Sequence, residues 1–392
     1  MIYNFDEVIE RRGTHSVKWD SGELLKQFGL TERFDEETIP LFVADMDFAC
    51  PEPMLEALRQ RVNTRMFGYS NHLASPEYQE AIQGWFSRRH DWVIDAASIV
   101  YSPGTVEALD ALVRAYSEPG DGVIIQRPVY APFTRVIEGN HRVVVNNALL
   151  NNDGYYTIDF DDFEEKTRDP HNKLFILCSP HNPVGRVWTP NELTQLANIC
   201  LANDVVLVAD EIHGDLIRKG QTHYPICTLV DDDRLISCTA INKTFNVAGL
   251  HCSNIIVNNP AMRQKFIDTL GFKTPNPFAI SALIAAYNQG EEWLAQANGY
   301  IDGNLNFLAQ FLKEHMPAVR FRIPEGTYIG WLDFRGYELS SAEVHRRIYQ
   351  AANVVLEDGE MFGPEGTGYQ RICTPSPRSI LATAMERIAA QF

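Results

Sequence analysis

Apolar residues along this chain follow two spacings that take turns. Between residues 105 and 257, short unbroken apolar runs are separated by longer stretches with helical spacing. The runs predict strands at 123–126, 142–145, 173–178, 205–209, 235–239 and 253–257. Residues 105–116 carry the helical spacing and stop at Pro119-Gly120. Thr189-Pro-Asn-Glu192 pairs a capping hydroxyl with a glutamate three residues on and puts proline in the first turn. It predicts a helix running to about residue 201. Strands that are apolar throughout, rather than alternating, are covered on both faces. The expected fold class is therefore α/β, a mostly parallel sheet flanked by helices.

The pattern changes after about residue 290. Residues 291–315 predict one long amphipathic helix, 327–334 a strand, and 341–353 and 378–391 further helices. The first 45 or so residues have no strong periodicity. A chain of 392 residues is long for one core. Two domains are expected: a large one over 50–288, and a smaller α+β one built from both ends, 1–49 and 289–392.

Composition narrows the function classes. The formal net charge is −17, which disfavours general nucleic-acid binding and docking on anionic lipid. A local cationic pocket for a small anion remains compatible with it. No apolar run is long enough to span a bilayer. The seven cysteines are scattered, with no Cys-x-x-Cys pair, and point to a reducing compartment. The first residues, Met-Ile-Tyr-Asn-Phe-Asp-Glu, lack a basic region followed by an apolar core, so no signal peptide is expected and the cytoplasm is the expected location. No His/Cys spacing suggests a metal site, and neither a Gly-x-Ser-x-Gly elbow nor a dinucleotide glycine motif occurs.

Three residues carry the candidate chemistry. Asn182 lies in Ser179-Pro-His-Asn-Pro-Val-Gly185, Asp210 closes the run 205–209, and Lys243 follows the run 235–239. Each has a plainer reading alone: a turn, a helix cap, a solvated lysine. Together they set an amide, a carboxylate and an amine past the carboxyl ends of separate strands, where open α/β sheets bind ligands. That trio suits pyridoxal phosphate: the amine forms the Schiff base, the acid pairs with the ring nitrogen and the amide binds the ring oxygen. Gly104, Thr105 and Val106 open the helix 105–116, whose free N–H groups suit a phosphate. Tyr130 could stack on the ring, His213 could support Asp210, and Arg371 could bind a carboxylate in two-point fashion. Tyr69 is a further aromatic candidate.

Nearly end to end, the chain resembles fold-type I pyridoxal-phosphate enzymes of the aminotransferase class I/II group. Within it, the likeness is to the MalY/PatB-type cystathionine beta-lyases. The motifs include Arg12-Gly-Thr-His-Ser-Val-Lys-Trp-Asp20, Phe42-Val-Ala-Asp-Met-Asp-Phe48, Phe67-Gly-Tyr-Ser70, Asp210-Glu-Ile-His213, Asn242-Lys-Thr-Phe-Asn246 and Glu325-Gly-Thr-Tyr328. The resemblance implies that Lys243 carries the cofactor and acts as base, and that Asp210, Asn182 and Tyr130 hold the ring. It implies that Gly104, Thr105 and Val106 hold the phosphate, and that Arg371 binds the substrate α-carboxylate. Tyr69 is implied to reach the neighbouring active site of a homodimer. The implied reaction is β-elimination on a small sulfur amino acid such as L-cystathionine. An aminotransferase is the alternative, and a non-catalytic module on the same fold is a third reading. One departure stands out. Many aminotransferases place Ser or Thr three residues before the lysine and Arg eight after it, as phosphate ligands; here Ala240 and His251 hold those positions. Asn242 is the candidate to supply part of that contact.

Overall fold

The computed structural model describes residues 1–27 and 29–392. Its centre is a sheet of seven strands: β1 (Ile99–Ser102), β2 (Gly122–Ile125), β3 (Val143–Asn146), β4 (Asn172–Cys178), β5 (Val206–Asp210), β6 (Ile236–Ala240) and β7 (Ser253–Val257). Their order across the sheet is β1-β7-β6-β5-β4-β2-β3. The pairs β6–β5, β5–β4, β4–β2 and β2–β3 are parallel. Strand β7 runs antiparallel to both of its neighbours.

The unbroken apolar runs have the expected cause. Successive side chains of a strand point to opposite faces. Val123, Ile125, Leu174, Ile176 and Val208 pack with Leu109 and Leu112 of helix α1 (Thr105–Tyr116). Their in-between neighbours Ile124, Phe175, Leu177, Leu207 and Ala209 pack with Leu193 and Leu196 of helix α2 (Pro190–Ala202). The capping box at Thr189 is formed: its hydroxyl accepts from the Glu192 N–H, and Glu192 Oε2 accepts from the Thr189 N–H at 2.8 Å.

Helix α3 (Glu291–His315) spans the range its periodicity predicts. Its early residues Trp293, Ala297 and Ile301 pack in one apolar cluster, and Leu308, Phe311 and Leu312 in another. The second cluster also takes Leu25, Ile39 and Leu41 from the N-terminal segment. It lies against a four-stranded antiparallel sheet: β8 (Arg320–Phe321), β9 (Ile329–Asp333), β10 (Glu357–Asp358) and β11 (Tyr369–Cys373), in the order β8-β9-β11-β10. The structure departs from expectation in two ways. The predicted helix 341–353 is α-helical only over Ser341–His345 and then widens into a π-helical stretch, Arg346–Ala351. There the His345 and Tyr349 rings stack at 3.9 Å and the Tyr349 hydroxyl donates to Gln370 at 3.2 Å. Helices Glu52–Asn63, Pro76–His90 and Pro277–Gln289 have no counterpart in the predicted elements. They build an apolar cluster around Met54, Trp85, Phe245 and Tyr287. No helix among the described residues is long and apolar enough to cross a membrane.

Candidate active site

Strands β4, β5 and β6 are adjacent and parallel, and the three motif residues leave from their carboxyl ends. Cys178 pairs with Asp210, and Asp210 with Cys238. Beyond the last pairs, the Ser179 N–H donates to the Asp210 carbonyl and the Glu211 N–H to the Cys238 carbonyl, so the ladder continues into the loops. Lys243 sits in a single helical turn, Ile241–Thr244, directly after β6. The Thr244 hydroxyl donates to Asp215 at 3.0 Å, which fixes this turn from below. The same edge includes the start of α1, because Ser253 pairs with both Ser102 and Ala240.

The Asp210 carboxyl is buried and has no ion-pair partner among the described residues. Its one hydrogen bond is a long one, 3.4 Å, from the Ile212 N–H. Burial pushes its carboxyl up to about 7, against smaller opposing pulls from that N–H and from Lys243. Lys243 Nζ donates to the Ala44 carbonyl at 2.7 Å, and the Tyr328 hydroxyl donates to the same oxygen at 2.9 Å. Burial lowers the lysine's pKa, and the Arg371 cation adds to the effect. His213 is buried close to an edge-on Tyr328 ring, 5.8 Å between centroids, with Nδ1 unpartnered. Burial holds it neutral, down to about 3.

Arg371 projects from β11 into the same region. Its Nη1 donates to Asn182 Oδ1 at 3.3 Å and Nη2 to the Phe42 carbonyl at 2.7 Å, while Nε is buried without a partner. Glu357 on β10 ion-pairs with it. Gly185 ties the Asn182 loop to the chain before β9: its φ is +73°, and its carbonyl accepts from the Glu325 and Gly326 N–H groups. The Tyr130 N–H donates to the Asn182 carbonyl at 3.1 Å, and burial pushes the Tyr130 hydroxyl up to about 12. At the start of α1, a Cβ on Gly104 would collide with the Glu107 carboxylate.

The chain thus gathers Asn182, Asp210, His213, Lys243, Tyr130 and Arg371, with Gly104, Thr105 and Val106 at the same sheet edge. Tyr69 stands apart, fully exposed at 106%. Ala240 is buried, and His251 is an exposed αL residue. Asn242 keeps a buried, unpartnered Oδ1.

Sequence reasoning reads the segment 42–48 as a mark of family likeness but gives it no role in closing the site. Phe42 and Ala44 act through main-chain carbonyls, which no side-chain motif announces. The segment is anchored at Asp47, whose carboxylate accepts from Arg11 at 2.7 Å, Lys18 at 2.7 Å, Trp19 Nε1 at 2.8 Å and Ser376 at 2.6 Å. Burial opposes ionisation there, but Lys18 and these donors prevail and hold the carboxyl below its ordinary range. Lys18 and Asp47 side chains are 0% and 3% exposed.

Residues 36–388 match the family model described as aminotransferase class I and II. The chain is 43% identical over 393 residues to cystathionine beta-lyase PatB of Bacillus subtilis (strain 168), covering 99% of each. It is 33% identical over 384 residues to protein MalY of Escherichia coli (strain K12), covering 97% of this chain and 96% of that one. Its structure is similar to that of cystalysin from Treponema denticola, which contains a pyridoxal 5'-phosphate cofactor: TM-score 0.94, 35% identity, 100% of this chain and 99% of that one. It is likewise similar to a PLP-bound C-S lyase from Staphylococcus hominis: TM-score 0.92, 38% identity, 100% of this chain and 98% of that one.

Proposed function

The chain belongs to the aminotransferase class I and II family, and from that membership we propose that it is a pyridoxal-phosphate-dependent carbon–sulfur β-lyase. Its substrate is L-cystathionine or a related S-conjugate of cysteine, and its products are a thiol, pyruvate and ammonia. The observation that carries this reading is the amide–acid–amine trio at the ends of three adjacent parallel strands, with an acid that forms no ion pair among the described residues. The names of PatB and of the S. hominis enzyme supply the reaction class.

The residues present fit the cofactor. A protonated ring nitrogen would give Asp210 the partner it lacks and keep it ionised. Asn182 would take the ring oxygen, Tyr130 would stack on the ring and His213 would support Asp210. Gly104, Thr105 and Val106 offer the phosphate the positive end of a twelve-residue helix. When bound, the cofactor supplies an electron sink for the pair left on the substrate's Cα.

The chain's own groups do the rest. Arg371, steadied by its bond to Asn182 Oδ1, holds the α-carboxylate and so fixes which bond at Cα faces the lysine. Lys243 Nζ, with its pKa lowered first by burial, removes the Cα proton as general base. The Ala44 carbonyl, which accepts from both Lys243 and Tyr328, steadies the amine between steps. The thiolate then departs from Cβ.

The same reading includes a homodimer in which Tyr69 reaches the partner's site. Its support is the exposure of Tyr69 and Met66 and of the Phe67 ring, which stacks on Phe278 at 5.2 Å. It also includes a cytoplasmic location, supported by seven free cysteines. The domain division is 50–288 against 1–49 with 289–392, supported by the cluster shared between both chain ends.

The test is purified, cofactor-loaded protein with L-cystathionine, followed for pyruvate and free thiol. Both should form, and Lys243→Ala should stop both. With cofactor bound, thiol release no faster than in buffer refutes the lyase reading. Stoichiometric consumption of an added keto acid favours transamination instead.

A further inference from the structure

Arg371 carries a second anion beside the one it is meant to receive. In the antiparallel register, Glu357 lies directly opposite Arg371, and the two side chains form an ion pair. Arg371 is buried and Glu357 half-buried, with side chains 4% and 18% exposed. The guanidinium lies over the Phe362 ring at 5.0 Å, and Trp331 is its cross-strand neighbour on the other side. Glu357 is therefore the built-in counter-ion of the candidate carboxylate receptor.

The bonding around the pair is uneven. Arg371 Nη1 and Nη2 are held by Asn182 and the Phe42 carbonyl, which keeps the guanidinium in place whether or not Glu357 is charged. Glu357 Oε2 meets Arg371 Nη2 in the ion pair and has no other partner among the described residues, while Arg371 Nε has none. The glutamate is thus held only by its contact with Arg371 Nη2, while the arginine keeps Nε as a free donor for a carboxylate.

A substrate carboxylate would be a second anion on one cation whose side chain is only 4% exposed. Two carboxylates sharing one cation raise each other's pKa, which drives one of them towards its protonated form. Resting on the reading that Arg371 receives the substrate's α-carboxylate, we propose that Glu357 is a positioning residue that makes carboxylate binding at Arg371 proton-linked. In the free protein Glu357 neutralises Arg371. As the ligand arrives, one proton from solvent goes to the Glu357 carboxylate, the ion pair is released, and the guanidinium turns its charge to the ligand. The charges around Glu357 are Arg371, Arg135, Lys243 and Asp358, with the hydroxyls of Tyr130 and Tyr349 also in range. Burial is the largest influence on it and already raises its pKa, so it is poised to accept that proton.

The probe is 3-(methylthio)propanoate, which has the carboxylate and thioether of S-methylcysteine but no amine, so it binds without turnover. It is titrated calorimetrically into the holoenzyme at about pH 8, in two buffers of different ionisation enthalpy. Wild type should take up close to one proton more per bound probe than Glu357→Gln. Above the free-state pKa of Glu357, the protonated fraction falls tenfold per pH unit, so wild-type affinity should fall towards tenfold per unit while that of Glu357→Gln stays flat. At alkaline pH the glutamine variant should bind the tighter of the two. Glu357→Asp, which keeps the charge, should restore proton uptake. Equal uptake in wild type and Glu357→Gln, or weaker binding by Glu357→Gln at every pH, overturns the proposal and leaves Glu357 a scaffold for Arg371. Should Glu357→Gln not fold, the absence of any pH slope in wild type overturns it equally. If instead wild type and Arg371→Ala bind the probe alike, the carboxylate does not use Arg371, and the underlying site reading fails with it.

Discussion

Lys18→Met tests whether the ion pair with Asp47 supports both the fold and the segment that closes the site. Lys18 is fully buried, 2.7 Å from Asp47. Removing one partner of a buried pair typically costs about 3–5 kcal/mol, because the remaining charge is left uncompensated. Here Arg11, Trp19 and Ser376 still serve Asp47, so the lower end applies, about 3 kcal/mol. Unfolding entropy of about 2.1 cal/mol/K per residue over 392 residues gives roughly 0.8 kcal/mol/K, so the expected fall in Tm is about 4 °C. Asp47→Asn in the Lys18→Met background removes the stranded charge and should recover part of that loss, a positive coupling in the double-mutant cycle. Differential scanning calorimetry of the four proteins measures it. The segment behind Asp47 presents the Phe42 and Ala44 carbonyls to Arg371 and Lys243, so cystathionine turnover should fall further than stability explains at a temperature where every variant is folded. A Lys18→Met protein with unchanged Tm, or a double variant worse than the sum of the singles, refutes the argument.

Asp210→Asn should lower turnover by about 10²–10³-fold while leaving the sheet intact, since one preorganised charge at the reacting centre is lost; steady-state pyruvate release and circular dichroism check the two halves. Arg371→Lys keeps the charge but loses the two-point fork, and kcat/KM for cystathionine should drop about 10- to 100-fold, chiefly through KM. Asp215, with its carboxyl held down at about 2, ties Arg89, Trp85 and Thr244 together beneath Lys243. Burial alone would raise it; His90 and Arg89 overcome that. A depressed carboxyl contributes stability that is complete above its unfolded pKa, about 4, and is lost as pH falls through the folded value. Asp215→Asn should therefore be less stable than wild type at neutral pH, with the difference closing between about pH 4 and pH 2 in acid-unfolding curves. Tyr69→Ala chains mixed with Lys243→Ala chains should regain activity in hybrid dimers if Tyr69 serves the partner's site; activity no higher than in the unmixed variants refutes the shared site.

Much of the site is local enough to be read along the chain. Asn182, Asp210 and Lys243 each follow an apolar run, and a run that ends abruptly marks where a buried strand reaches the sheet edge. The cap at Thr189, the helix start at Thr105 and the long helix Glu291–His315 depend on neighbours within a turn or on a repeating stripe, so sequence determines them nearly unaided. Arg371 and Tyr69 drew notice through family likeness, because nothing in their own surroundings separates them from ordinary surface residues. Tertiary structure alone decides what lies across gaps of hundreds of residues. The Ala44 carbonyl meets Lys243 from 199 residues away and the Phe42 carbonyl meets Arg371 from 329, through main-chain atoms that every residue shares. Glu357 faces Arg371 because of strand register, and a one-residue slip would turn it to the other face. Asp210 gains its raised pKa from burial under the rest of the fold. Periodicity sets the elements because it is a short-range property; charge pairing and desolvation belong to the packed whole, because they depend on what the elements bury together.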